Sequence, residues 1–347
     1  MSCGQSLRLQ YLVPAELRLQ GWPDVLGAAA FAGNLRSGGG LLQHGGVEFP
    51  LAHVHTPVLG DAHEVLEVWR ISGPSQPGSH GRVRYARAGD LLFGSLAVHE
   101  GEPHGCQQPT PLELATELAY REIYASLAAL ESPHLVRVWN YIPDINLQTH
   151  GLERYRQFNT ARHDASRACG RAVEGNVPAA SALGAAAHSP LTIYFLASRR
   201  APAFIENPRQ VSAYRYPAQY GPRSPAFSRA TVLGEGAEAL LFVSGTASIV
   251  GHRTLHAGDP AAQTRETLVN IQALLDEAAR RSGSGNLRLE TLAYKVYVRQ
   301  PKDLPLIRAQ LESALGPAAA LLYLQADICR QDLAVEIEAF GGGGWRP

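Results

Sequence analysis

Residues 333–340 alternate. Leu333, Val335 and Ile337 point one way along an extended chain, and Glu336 and Glu338 point the other. The pattern predicts a strand with an ordinary core face. Shorter strand-like runs broken by Gly and Pro occupy residues 7–13, 65–70, 83–85 and 91–93. The period then changes. Thr110, Pro111 and Glu113 supply an N-cap, a first-turn proline and an acid near the positive end of a helix dipole. Leu114, Leu118, Ile123, Leu127 and Leu130 follow at helical spacing. A strand over 134–142 closed by Pro143 and Asp144, a helix over about 151–170 and a strand over 191–197 complete this half.

The second half repeats that order. Leu240-Leu241-Phe242-Val243-Ser244 answers Leu91-Leu92-Phe93-Gly94-Ser95. A helix over 263–281, a strand over 292–298 closed by Pro301 and Asp303, and a helix over 304–315 follow. Pro317-Ala318-Ala319-Ala320 then answers Pro178-Ala179-Ala180-Ser181, and the alternating strand answers 191–197. The expected class is α+β: two related units, each a mixed sheet with helices on one face, arranged as a pseudo-symmetric pair. Residues 1–197 form the first unit with an N-terminal extension, 198–230 a connecting segment, and 231–347 the second unit. Aligning the final strands sets Glu336 opposite Tyr194 and Glu338 opposite Leu196. On one strand alone, two carboxylates fit a solvated outer face. Their presence in one copy only points instead to a site built into that copy. A carboxylate beside this Ala-rich, apolar segment, with Cys329 seven residues upstream, loses solvation, so its pKa rises. A general acid needs that.

Composition narrows the class. The 347 residues leave room for two domains or one doubled one. Zero net charge, from 31 acids and 31 bases, gives no field for nucleic acid or an anionic membrane. No apolar run has membrane-spanning length, and Met1 to Gln5 lack a signal-peptide pattern. Cys3, Cys106, Cys169 and Cys329 are far apart without a CxxC pair, and read as thiols of a cytoplasmic protein. His53 and His55 could chelate, but no further ligands stand at a recognisable spacing, so no metal is expected. No phosphate loop or GxGxxG follows a strand, Gly341 to Gly344 read as a flexible end, and Gly38 to Gly40 as a turn.

The connecting segment is dense in Arg, Tyr and Pro and poor in acids, so it should be ordered. Tyr214 and Tyr216 fall on one side if it is extended, and Arg209, Arg215, Arg223 and Arg229 offer forked donors for carboxylates or phosphates. A small anionic substrate with a flat portion fits this better than nucleic acid does. Tyr155, Asn159 and Arg162 share a helix face, although a core Tyr155 and a surface Arg162 would do so too. Gly245 and Ala247, in Gly245-Thr246-Ala247-Ser248, let a ligand approach a strand end closely; a plain turn explains Gly245 equally well.

Together, Trp139-Asn140-Tyr141-Ile142-Pro143, Glu153-Arg154-Tyr155 with Phe158-Asn159 and Arg162, Pro178-Ala179-Ala180-Ser181, Tyr214-Arg215-Tyr216-Pro217, Phe227-Ser228-Arg229-Ala230, Ser244-Gly245-Thr246-Ala247-Ser248 and Val335-Glu336-Ile337-Glu338 resemble the chorismatase family over about residues 60–340. The resemblance implies the reactive-intermediate deaminase fold, otherwise found in trimers, so a monomer or homotrimer is expected. It implies release of the enolpyruvyl side chain of chorismate as pyruvate, without a cofactor. Glu336 matches the acid that protonates the enolpyruvyl methylene. Tyr155, Arg162, Tyr214 and Arg229 match substrate-binding positions, with Tyr216 beside them. Gly245 and Cys329 resemble the branch that makes 3-hydroxybenzoate, in which the ring hydroxyl displaces the side chain through an epoxide-like intermediate. Cys329 would assist ring opening or proton removal there; as a plain alternative it is a small buried apolar residue. Some relatives also yield 4-hydroxybenzoate for pigment or quinone synthesis. Two other outcomes stay open: a hydrolytic chorismatase giving a dihydroxycyclohexadiene carboxylate, and a non-catalytic metabolite-binding protein.

Overall fold

The computed structural model describes residues 6–16, 24–33, 40–44, 47–101 and 109–343. Among the described residues there are three large sheets and two two-stranded ribbons. Sheet A contains β1 (Leu7–Leu12), β2 (Val25–Ala32), β3 (Gly40–His44), β4 (Val47–His55) and β5 (Glu64–Ile71), in the order β1-β5-β2-β4-β3. Sheet B contains β6 (Gln76–His80), β7 (Val83–Ala88), β8 (Leu91–Val98), β9 (His134–Pro143), β10 (Ala179–Ala185) and β11 (Leu191–Ser198), in the order β10-β9-β11-β8-β7-β6. Sheet C contains β12 (Ala203–Ile205), β13 (Ala230–Leu233), β14 (Leu240–Thr246), β15 (Ala293–Val298), β16 (Ala320–Gln325) and β17 (Val335–Gly342), in the order β12-β13-β14-β17-β15-β16.

Sheets B and C are the expected pair. In each, an early strand lies antiparallel to the last, the last antiparallel to a middle strand, and that strand parallel to the one after it. Sheet A follows the same rule through β1, β5, β2 and β4. The N-terminal extension thus carries a third copy of the strand order.

Helices cover the outer faces of B and C. In sheet B these are α1 (Pro111–Ala129) and α2 (Arg154–Ala168); in sheet C, α3 (Pro260–Ser282) and α4 (Leu304–Leu315). The α1 start is a full capping box: Glu113 N donates to Thr110 Oγ1 at 3.2 Å, and Thr110 N to Glu113 Oε2 at 2.7 Å. Helix α3 begins three residues before the sequence suggests, because Asp259 caps Ala262 N and Pro260 fits the first turn. Gly341 and Gly342 are no loose end. They pair with Leu241 and Leu240, and a Cβ on Gly341 would meet Leu292 at 2.3 Å. Gly38, Gly39 and Gly344 lie outside the described residues, as do Cys3 and Cys106; Cys169 and Cys329 are free thiols. Among the described residues no helix is long and apolar enough to cross a membrane.

The inner faces of all three sheets meet in one core, where Trp69, Trp139, Tyr194, Phe242 and Phe340 pack together. Ions sit inside it. Lys295 Nζ lies 2.5 Å from Glu67 Oε2, donates to Tyr194 at 2.8 Å and stands 3.6 Å from Glu338. Glu338 also meets Arg137 at 2.9 Å and accepts from Tyr297 at 2.5 Å and from Trp139. Two acids and two bases balance, with nearly every oxygen bonded. Glu67, Tyr194 and Glu338, one from the last strand of each sheet, therefore share one level. This shifts the alignment of the final strands by two: Tyr194 corresponds to Glu338, and Thr192 to Glu336. The sequence misses this because a tyrosine and a glutamate fill the same central place. Lys295→Met leaves Glu67 buried without its cation, and urea unfolding should show a loss of about 3–5 kcal/mol.

Candidate active site

The seam between sheets B and C is stitched by serines. Ser244 Oγ donates to Ser228 O at 2.6 Å and accepts from Ala180 N at 2.9 Å, while Gly245 N donates to Ser181 Oγ at 3.1 Å. Beside these bonds opens a cavity of about 610 Å³. The N-terminal turn of α2 supplies Tyr155, the end of β14 supplies Gly245 with Ala247 just beyond, and β17 supplies Glu336. The loop before β17 brings Cys329 and Arg330, and the 198–230 segment brings Tyr216, Phe227 and Arg229.

Glu336 lies at the inner end with 3% of its surface exposed. Burial, then the nearby Glu338 charge, pushes its carboxyl from 4.5 up to about 8, against the pull of Arg137, Arg299 and Arg229. Glu338 is equally deep, and burial alone would raise it as well. Lys295 and Arg137, with hydrogen bonds from Tyr297 and Trp139, outweigh that and hold it below the usual carboxylate range. Two carboxylates two residues apart on one strand are thus split into a neutral acid and a structural anion.

Around the acid, contacts are close. Cys329 Sγ lies 3.9 Å from Glu336 Oε2, and burial pushes the thiol up to about 12, so it stays protonated. Burial likewise raises the Tyr155 phenol. A Cβ on Gly245 would sit 1.9 Å from Glu336 Oε1, so only glycine leaves the carboxyl where it is. Gly245 is therefore a close-approach position and not merely a turn.

Three guanidiniums stand around this space. Arg162 is buried and bonds Asn159 Oδ1 at 2.9 Å, with its Nε unpartnered. Arg229 is buried and donates through Nη2 to Val211 O and the Tyr216 hydroxyl, both at 2.8 Å, again with Nε unpartnered. Arg330 stacks 4.3 Å from the Tyr220 ring centroid and keeps Nη2 unpartnered. Unpaired buried guanidinium donors are costly, which fits a site that receives anions.

Of the residues singled out from the sequence, Glu336, Cys329, Tyr155, Tyr216, Arg229, Gly245 and Ala247 line the cavity, and Arg162 lines its inner recess with Ser181. Tyr214 does not. It sits in a 3-10 turn, Ala213–Arg215, against the Arg215 guanidinium, because the segment coils there and does not run extended. Arg209 is also elsewhere, paired to Glu266 at 2.7 Å. Arg330 and Tyr220 were not foreseen; the adjacency of Arg330 to Cys329 was the available sign. Among the described residues no group of three His, Cys, Asp or Glu could hold a metal.

Residues 67–197 match a family model described as "Chorismatase FkbO/Hyg5-like, N-terminal". A chorismatase of Streptomyces rapamycinicus is 39% identical over 83% of this chain and 85% of its own. A 3-hydroxybenzoate synthase of Streptomyces hygroscopicus is 37% identical over 81% and 82%. A crystal structure of a chorismatase superposes with a TM-score of 0.85 at 33% identity, covering 97% of this chain and 99% of that one.

Proposed function

The chain belongs to the chorismatase family, and on that premise we propose that it cleaves chorismate to pyruvate and 3-hydroxybenzoate, with Glu336 as the acid. The observation that carries this reading is a buried carboxyl at the floor of a cavity lined by arginines. Arg162, Arg229 and Arg330 have free donors for the two carboxylates of chorismate, and the tyrosines flank its ring. So held, the enolpyruvyl methylene lies against Glu336, which gives it a proton; the side chain becomes an oxocarbenium-like centre. The ring hydroxyl next to the ether attacks the ether carbon. The carbon–oxygen bond breaks, its electrons close the carbonyl of pyruvate, and the hydroxyl proton returns to the Glu336 carboxylate. Opening of the epoxide-like ring and loss of a ring proton complete the aromatic acid. Chorismate contains the atoms of both products, so neither water nor an oxidant enters.

Cys329, protonated and beside Glu336, suits proton donation to the opening oxygen, and the thiolate this leaves then takes the ring proton, so both groups end as they began. Gly245 supports the aromatising branch, since it lets the Glu336 carboxyl press into the site.

Purified protein given chorismate should release one pyruvate per 3-hydroxybenzoate, read by chromatography and mass. The dihydroxycyclohexadiene carboxylate as sole product would overturn the branch, 4-hydroxybenzoate as the main product would redirect the ring opening, and absence of pyruvate would leave only a binding protein. Because the acid must be protonated, kcat/KM should be level below pH 8 and fall about tenfold per unit above it. A flat profile to pH 10 would remove Glu336 from that role.

A further inference from the structure

The seam between sheets A and B holds a second cavity, of about 270 Å³. The registers place it where the catalytic cavity sits between B and C. Taking Glu67, Tyr194 and Glu338 as one level, β4 brings Leu51, Ala52 and His53 to the heights at which β10 brings Ala180, Ser181 and Ala182. The first trio lines the second cavity, and the other lines the recess of the catalytic one. Thr192 stands two residues before Tyr194, as Glu336 does before Glu338.

The opposite walls correspond too. Tyr85 faces Gly94 as Ala230 faces Val243, within the paired Leu91–Ser95 and Leu240–Ser244 motifs, so Arg84 holds the position of Arg229. Each arginine lines its own cavity. What differs is the acid: Thr192, whose hydroxyl donates to His53 O at 3.3 Å, replaces Glu336.

His53 Nδ1 and His55 Nε2 are buried atoms with no hydrogen-bond partner, Arg82 and His99 add basic groups, and among the described residues no carboxylate lines the space. Unpaired ring nitrogens beside guanidiniums suit the lining of an anion site. We infer that this second cavity binds a small oxyanion, a phosphate or carboxylate group, without turnover, as a counterpart of the catalytic cavity that kept its basic wall and lost its acid.

Thermal unfolding of the whole protein with inorganic phosphate, and separately with benzoate, tests this. In the wild type at least one anion should raise the midpoint, and Arg82→Glu/Arg84→Glu should weaken that binding at least tenfold. Chorismate turnover should stay within twofold. Dependence on the arginines in the phosphate arm identifies a phosphate site, and in the benzoate arm a carboxylate site. Arg82→Glu alone, at an exposed position, serves if the double variant unfolds. No stabilisation by either anion, or equal stabilisation in wild type and variant, would overturn the inference.

Discussion

Glu336→Gln should stop pyruvate release from chorismate by about 10³-fold or more while making the protein more stable at neutral pH. The first effect follows from removing the group proposed to protonate the methylene; general acid catalysis commonly contributes 10²–10⁴-fold. The second follows from linkage. In the unfolded chain the carboxyl ionises near 4.5, but in the fold it holds its proton to about 8. The raised group favours the fold fully below the ordinary value, and that advantage is lost as pH rises to 8. Glutamine never ionises. The variant should therefore match wild type near pH 4.5 and exceed it by about 3 kcal/mol at pH 7. Thermal midpoints at pH 5 and pH 8 check this, and equal stability at both would mean the carboxyl ionises freely in the fold.

Gly245→Ala should cut turnover by about 10²-fold and move the remaining product towards the dihydroxycyclohexadiene carboxylate. Backbone strain is not the reason, since Gly245 does not adopt a positive φ. The added methyl would overlap Glu336 Oε1, 1.9 Å away, and the carboxyl must swing aside. A displacement near 1 Å costs on that order in rate. A displaced carboxyl also opens room for water against the oxocarbenium-like carbon, and water competes with the ring hydroxyl. Product ratios by mass spectrometry decide it. An unchanged rate and ratio would separate Gly245 from the acid's placement.

Much of this molecule was legible in its residues, for identifiable reasons. Thr110, Pro111 and Glu113 are local signals whose meaning needs no tertiary contact, and the structure uses all three in one capping box. The repeated Leu-Leu-Phe runs mark equivalent strands, so the B and C units could be paired. Sheet A escaped notice because its strands carry Leu9, Ala29 and Ala52 where the others have distinctive motifs; strand order is a property of pairing, not of composition. The register of the last strands was misread by two for a related reason. Glu67, Tyr194 and Glu338 are chemically unlike, yet all complete one ionic core around Lys295.

Site residues divide the same way. Glu336, Gly245 and Cys329 lie within or beside strands whose course is predictable, and they line one cavity. Tyr214 and Tyr216 depend on the path of a Pro-rich loop. A single 3-10 turn keeps Tyr216 at the cavity and sends Tyr214 away from its wall. Arg330 and Tyr220 reach each other across 110 residues of chain, which no local pattern announces.

The proposed chemistry requires Glu336 to carry a proton at neutral pH. Infrared difference spectra, wild type minus Glu336→Gln, recorded from pH 6 to 10, read that proton directly. A protonated-carboxyl band should be present at pH 7 and give way to carboxylate bands with a midpoint near 8. Carboxylate bands already complete at pH 7 would contradict it.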